Sequence, residues 1–188
     1  MKASLDEALE VFASLSSLER EVTRAAQMAV DTLNRGGKLL ICGNGGSACD
    51  AQHLAGELVG RYKGNRRALP AIALNADGAT MSCIGNDYRF EEVFSRQIEA
   101  FARAGDLLIV FTTSGQSPNV LEALRTARAR GVQSIAFLGR DGGAAKPLSD
   151  LHIVVAHAAT ARVQEAHQFL LHCLMDQIEA MMGFTEQP

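Results

Sequence analysis

The amino-acid sequence predicts an α/β fold: a three-layer α/β/α sandwich, Rossmann-like, around a five-stranded parallel sheet, with long N- and C-terminal helices. Three observations carry that expectation. Five short apolar runs recur along the chain, helical-period segments separate them, and glycine brackets the first run on both sides. Strands alternating with helices imply βαβ crossovers, which are right-handed and cover both sheet faces with helices.

Ser4-Leu5-Asp6-Glu7 has the form of a capping box. Leu5, Ala8, Leu9, Phe12, Leu15, Leu18, Val22, Ala25, Ala26, Ala29 and Leu33 follow at helical spacing, so the first 34 residues are expected to be mostly helix. Gly36-Gly37 ends it, and Leu39 to Cys42 is the first buried strand. Ala71 to Leu74, Leu107 to Phe111, Ser134 to Leu138 and Ile153 to Val155 are the other four, with Val120 to Arg130 and Val163 to Met182 as clear helices. No repeat, low-complexity tract or proline-rich linker divides the chain. Residues 1–188 therefore read as one domain, with 1–36 as a helical extension used in oligomerisation. Packing within the subunit is the other reading of the terminal helices' apolar stripes, and both can hold.

Composition narrows the function classes. Among 188 residues, 47% are hydrophobic and 21% charged, ordinary for a globular protein. The formal charge of -3 and the absence of a basic cluster beyond Arg61, Lys63, Arg66 and Arg67 give no footprint for a nucleic acid. Acidic Asp6 and Glu7 stand where a signal peptide needs an apolar core, and no apolar run approaches a membrane span, so a cytoplasmic protein without membrane contact is expected. Cys42, Cys49, Cys83 and Cys173 form no C-x-x-C pair and read as reduced, small hydrophobic residues.

In a parallel sheet, ligands bind beyond the carboxyl ends of the strands. Two such ends carry unusual loops. Gly43-Asn44-Gly45-Gly46-Ser47 follows the first strand and opens a helix; Thr112-Thr113-Ser114-Gly115-Gln116-Ser117-Pro118 follows the third, with Pro118 placed as a first-turn residue. One glycine-rich turn reads at least as readily as a simple tight turn. Two at neighbouring strand ends, with four hydroxyls, shift the balance to a phosphate monoester site without a fixed positive charge. Neither G-x-G-x-x-G nor G-K-[ST] is present, which argues against NAD and ATP.

His53 and Glu57 are spaced i, i+4 on the helix after the first loop, a spacing that can hold a divalent metal or set a carboxylate base beside an imidazole. Alone, the pair reads as a solvated helix face. The last helix adds Gln164, Glu165, His167 and His172; Gln164 and His172 face the same way but stand about 12 Å apart along the axis. That separation leaves open a ligand from a neighbouring subunit, or a metal held by only some of these groups. His152 and His157 bracket the last strand and read as structural or surface residues.

These segments together resemble the sugar isomerase (SIS) domain family, and within it the phosphoheptose isomerases. The resemblance runs over nearly the whole chain. It is carried by Cys42-Gly43-Asn44-Gly45-Gly46-Ser47, Asp50-Ala51-Gln52-His53 with Glu57, Pro70 to Leu74, Gly85-Asn86-Asp87 and Phe94-Ser95-Arg96-Gln97. It continues in Thr113-Ser114-Gly115, Gly139-Arg140-Asp141-Gly142-Gly143 and Ala161 to His167 with His172. The resemblance implies interconversion of sedoheptulose 7-phosphate and D-glycero-D-manno-heptose 7-phosphate, the first step of nucleotide-activated heptose biosynthesis. It implies one zinc ion per subunit on His53, Glu57, Gln164 and His172, with Glu57 and His172 as the acid/base pair. It also implies substrate contacts from Asn44, Gly45, Gly46 and Ser47, from Asn86 and Asp87, from Thr112, Thr113, Ser114 and Ser117, and from Glu57 and Gln164. Family members are homotetramers with sites between subunits. Thr112, Gln116 and Pro118 stand where serine, asparagine and alanine are common, and Asn75 to Thr80 varies within the family. Two other readings come from the same family: a non-enzymatic adaptor binding a bacterial replication initiator protein, and a sugar-phosphate-sensing regulator. The adaptor type lacks acid at the Glu57 position and histidine at the His172 position, and no DNA-binding segment accompanies this sequence.

Overall fold

The structure, a computed structural model, describes residues 1–184. Five strands, β1 (Leu39–Gly43), β2 (Ala71–Ala73), β3 (Leu107–Thr112), β4 (Gln133–Gly139) and β5 (Leu151–Val155), form one parallel sheet in the order β2-β1-β3-β4-β5. Around it run α1 (Lys2–Ser14), α2 (Glu19–Asn34), α3 (Gly46–Val59), α4 (Gly78–Asp87), α5 (Ser95–Phe101), α6 (Pro118–Ala129) and α7 (Thr160–Met181). This is the α/β/α sandwich that the sequence predicts, and each expected strand is present.

Alternation along the strands explains the layers. Leu39, Ile41, Leu107, Ile109 and Phe111 point to one face and pack with Ala25 and Ala29 of α2, Leu54 of α3 and Leu171 of α7. Leu40, Cys42, Leu108 and Val110 point to the other and meet Ile98 of α5 and Val120 and Leu124 of α6. Strands β1 and β3 are buried along their whole length, as parallel strands covered on both faces must be.

The N-terminal segment is mostly helix, as expected, but it is divided in two. Residues Leu15–Leu18 form a 3-10 turn between α1 and α2. The hydroxyls of Ser14, Ser16 and Ser17 donate to the carbonyls of Val11, Ala13 and Ser14 at 2.7, 3.2 and 2.8 Å, and this competition with the backbone is what bends the chain there. Nor does Ser4 act as a helix cap. Helix α1 starts at Lys2, and the Ser4 hydroxyl and carbonyl instead accept from Arg162 at 2.8 and 2.6 Å. The cysteines are all free, but only Cys42 is a buried apolar group with its thiol pushed up by burial; Cys49 and Cys83 are exposed. Within Asn75 to Thr80, Asp77 caps α4, accepting from the backbone N–H groups of Ala79 and Thr80 at 2.9 and 3.2 Å. Among the described residues, no helix is long and apolar enough to cross a membrane.

At the opposite end of the sheet from the candidate loops, Asp106 joins the turns that enter β1 and β3. Its carboxylate accepts from the backbone N–H groups of Lys38 and Arg103 at 2.9 and 2.8 Å and pairs with the Lys38 ammonium. Burial pushes this carboxyl up, but those donors outweigh it and hold the group below the usual carboxylate range. A carboxyl depressed on folding stabilises the fold above its unfolded pKa, and the contribution fades as pH falls through the folded value. Asp106→Asn should therefore cost about 2 kcal/mol in urea denaturation at pH 7. The gap between variant and parent should narrow below about pH 4, and a gap that widens on acidification would contradict this account.

Candidate active site

Strand β1 lies between β2 and β3, so the chain leaves it in one direction and returns on its other side. Loops after β1 and β3 therefore meet at a switch point, where parallel sheets open a crevice. In register, Gly43 lies beside Phe111. Here Asn44 and Asn119 exchange two side-chain amide hydrogen bonds, Nδ2 of each donating to Oδ1 of the other at 2.8 and 2.9 Å. Asn119 is 2% exposed, and its Oδ1 also accepts from the Val120 N–H at 3.0 Å.

Above this junction is a cavity of about 270 Å³ lined by Asn44, Gly45, Gly46, Ser47, Phe111, Thr112, Thr113, Ser117, Thr160 and Gln164. None of these residues is charged. Three helices begin at its wall: α3 behind Gly45, α6 behind Ser117 and α7 at Thr160. Each presents unpaired N–H groups and the positive end of its dipole, so the cavity favours an anion without a lysine or arginine. Gly45 takes φ +57° and ψ -123°, a backbone state closed to residues with a β-carbon, and a β-carbon on Gly46 would collide with the Gln164 amide. Thr112 Oγ1 accepts from the Gly115 N–H at 3.2 Å and lies 3.5 Å from Ser117 Oγ, while Ser114 Oγ accepts from the Gln116 N–H at 3.2 Å.

The second feature is a cluster of His53 and Glu57 on α3 with His172 on α7. His53 Nε2 is 3.0 Å from Glu57 Oε1 and 3.3 Å from His172 Nε2, and one ligand atom from each lies within 4.8 Å of the others. A single shared proton relieves only one of these contacts between lone pairs. A cation relieves all of them. For bonds of about 2.0–2.1 Å, tetrahedral ligand atoms stand about 3.3 Å apart, so the spacing suits a zinc-sized ion. The two imidazoles meet edge to face, at 76° and 4.9 Å between centroids, and the Tyr62 ring stacks on His172 at 14° and 5.7 Å. Next to His53, burial pushes the Asp50 carboxyl up to about 6, with the imidazole pulling the other way; its Oδ2 has no hydrogen-bond partner among the described residues.

The remaining expected residues are spread more widely. Gln164 stands at the loop cavity against Gly46. Asn86 and Asp87 are exposed at the end of α4, bonded to each other at 2.8 Å, and line no part of that cavity. His167 turns into the sheet: it is fully buried, burial holds it down to about 4, and its Nε2–H donates to Leu138 O at 3.2 Å, so it is a neutral core residue. Glu165 pairs with Arg162 at the surface. His152 belongs to β5, and His157 Nδ1 accepts from the Ala159 N–H ahead of α7. Sequence reading missed Asn119, Tyr62 and Thr160. Asn119 directly after Pro118 was the best available signal, since an asparagine in a helix's first turn sits beside the preceding loop; Tyr62 had none.

Comparison with known proteins bears on the family and the fold. Residues 5–139 match the model of the SIS domain. A protein of Campylobacter concisus (strain 13826) named phosphoheptose isomerase is 48% identical over 184 residues, 97% of each chain. One of the same name from Paramagnetospirillum magneticum is 54% identical over 158 residues, covering 84% of this chain and 82% of the relative. The solved phosphoheptose isomerase of Neisseria gonorrhoeae superposes with a TM-score of 0.91 at 40% identity, covering 95% of this chain and 96% of that one.

Removing the Asn119 amide should leave Asn44 unpaired at a buried loop junction. Asn119→Ala is expected to lose about 1–3 kcal/mol in urea denaturation. Calorimetry should register this as a melting temperature lower by roughly 5 °C, and an unchanged value would show that the amide pair does not hold the loops together.

Proposed function

The chain belongs to the SIS domain family and to the phosphoheptose isomerases within it, and we propose that it works on the phosphoheptoses at the site formed by β1, β3 and α7. It is an aldose-ketose isomerase interconverting sedoheptulose 7-phosphate and D-glycero-D-manno-heptose 7-phosphate, the entry to nucleotide-activated heptose. The observation that carries the catalytic assignment is the approach of Glu57 on one helix and His172 on another to the same imidazole.

The phosphate belongs in the uncharged loop cavity, held by the hydroxyls of Thr112, Thr113 and Ser117, by Asn44 and the Gly45, Gly46 and Ser47 backbone, and by three helix dipoles, with Ser114, outside the cavity lining, completing the set in this reading. Anchoring that end presents the reducing end to α3 and α7. Glu57 takes the proton from C1 of the ketose and returns it to C2, while His172 moves a proton between the substrate oxygens. His53, Glu57 and His172 would hold one zinc ion, and a nitrogen and oxygen donor set at the spacing above suits it; Gln164, which stands at the loop cavity, is the fourth ligand in this reading. When bound, zinc supplies Lewis acidity at the carbonyl. A carboxylate that both ligates zinc and moves protons has its basicity lowered by the ion, so the two roles compete.

Asn86 and Asp87 are substrate-binding residues in this reading; they line no part of this cavity, and a homotetramer whose sites form between subunits would let them serve a neighbouring subunit's site. The exposed Leu5, Leu9 and Phe12 of α1 and Phe169 of α7 suit such an interface. A phosphorylated sugar does not cross a membrane unaided, so a cytoplasmic location is consistent with a substrate made and kept there.

The test is an isomerase assay with purified protein and sedoheptulose 7-phosphate. Chelation should abolish aldose formation and added zinc restore it; full activity in metal-stripped protein excludes the metal role. Glu57→Gln and His172→Gln should each lower kcat by about 100-fold or more, and near-normal kcat in either removes that residue from the chemistry. Thr112→Val should raise KM by about tenfold, with a smaller change in kcat, because the phosphate is bound alike in ground and transition states.

A further inference from the structure

Between α3 and β2 the chain crosses α7, and three of its side chains meet one face of that helix. Tyr62 stacks on His172, Lys63 pairs with Asp176, and Arg66 Nε donates to Glu179 Oε1 at 2.8 Å. Positions 172, 176 and 179 follow i, i+4, i+7 spacing, so they share a face. These contacts differ in weight. The Lys63–Asp176 pair is about half exposed and contributes little. Arg66 and Glu179 have side chains only 1% and 6% exposed.

Arg66 divides its donors between two helices. One terminal nitrogen donates to Leu58 O at 2.9 Å and the other to Glu57 O at 2.5 Å, carbonyls in the last turn of α3 that lack helical partners. Its Nε holds Glu179, two turns beyond His172 on α7, while Glu179 Oε2 accepts from the backbone N–H groups of Lys63 and Gly64, both at 3.3 Å. A buried ion pair is often no more stabilising than an apolar pair of the same volume, so stability alone does not account for it. Its distinctive effect is geometric: one guanidinium ties the backbone of Glu57 to the helix that carries His172.

We propose that Arg66 and Glu179 are positioning residues for the cluster of His53, Glu57 and His172, setting the placement of α3 against α7 on which zinc binding depends. This rests on the zinc reading above. The experiment titrates zinc into metal-stripped protein against a chromophoric chelator, for the parent, Arg66→Lys and Glu179→Gln. Lysine can reach Glu179 or the α3 carbonyls but not both, so Arg66→Lys should weaken zinc binding roughly 10–100-fold. Inorganic phosphate binding to the metal-free protein, measured by calorimetry, should stay within about twofold, because the loop cavity does not depend on this pair. A merely structural role would lower the melting temperature without moving the zinc affinity of the folded protein; folded Arg66→Lys with zinc affinity within about twofold of the parent overturns the proposal. If Arg66→Lys does not fold, Glu179→Gln keeps an acceptor for the guanidinium without the charge, and carries the same expectation and the same overturning result. A parent protein that takes up no zinc overturns the metal reading itself and this proposal with it, so the two failures are told apart.

Discussion

Because β1 and β3 pair in register from Leu39 beside Leu107 to Gly43 beside Phe111, the loops that follow them must lie side by side. That adjacency is the constraint on which the site depends. It brings the starts of α3 and α6 to one point, and the Asn44–Asn119 amide pair locks the junction with two hydrogen bonds. Helix α7 adds a third N-terminus. Aligned dipoles then do what a lysine would do elsewhere, with less charge to desolvate and without a long flexible side chain to order.

Helix α7 spans the site from end to end. At its first turns Thr160 and Gln164 line the loop cavity, and further along His172 meets His53. On the proposed function, a linear seven-carbon sugar phosphate has its anchor and its reacting carbons well apart, and a helix rising about 1.5 Å per residue offers that separation along a rigid rod. His167 lies between them but turns inward against Phe111 and Phe137 as a neutral imidazole. Its burial shows why a histidine near a site is not for that reason part of it.

Helices α2 and α3 support α7 in different ways. Ala25, Ala26 and Ala29 are fully buried, and such small side chains let α2 approach closely, so the N-terminal segment contributes to the subunit's own core. Helix α3 is held near its C-terminus by Arg66, through the carbonyls of Glu57 and Leu58. The short basic stretch of Arg61, Lys63, Arg66 and Arg67 thus contains one arginine whose side chain is almost wholly buried.

Local pattern alone determined the strands, the long helices and the two phosphate-type loops. Strand alternation, helical periodicity, glycine spacing and a proline at a helix start are set by each residue's own backbone and its near neighbours. The 3-10 break at Leu15–Leu18 and the cap at Asp77 were local too, but they depend on which hydroxyl or carboxylate wins a backbone group, and periodicity does not register that competition. Only the tertiary structure decided the pairings of Asn44 with Asn119, His53 with His172, and Arg66 with Glu179, which lie 75, 119 and 113 residues apart. Strand order and the packing of α7 across the sheet create those meetings, and neither is written in the spacing of any one segment.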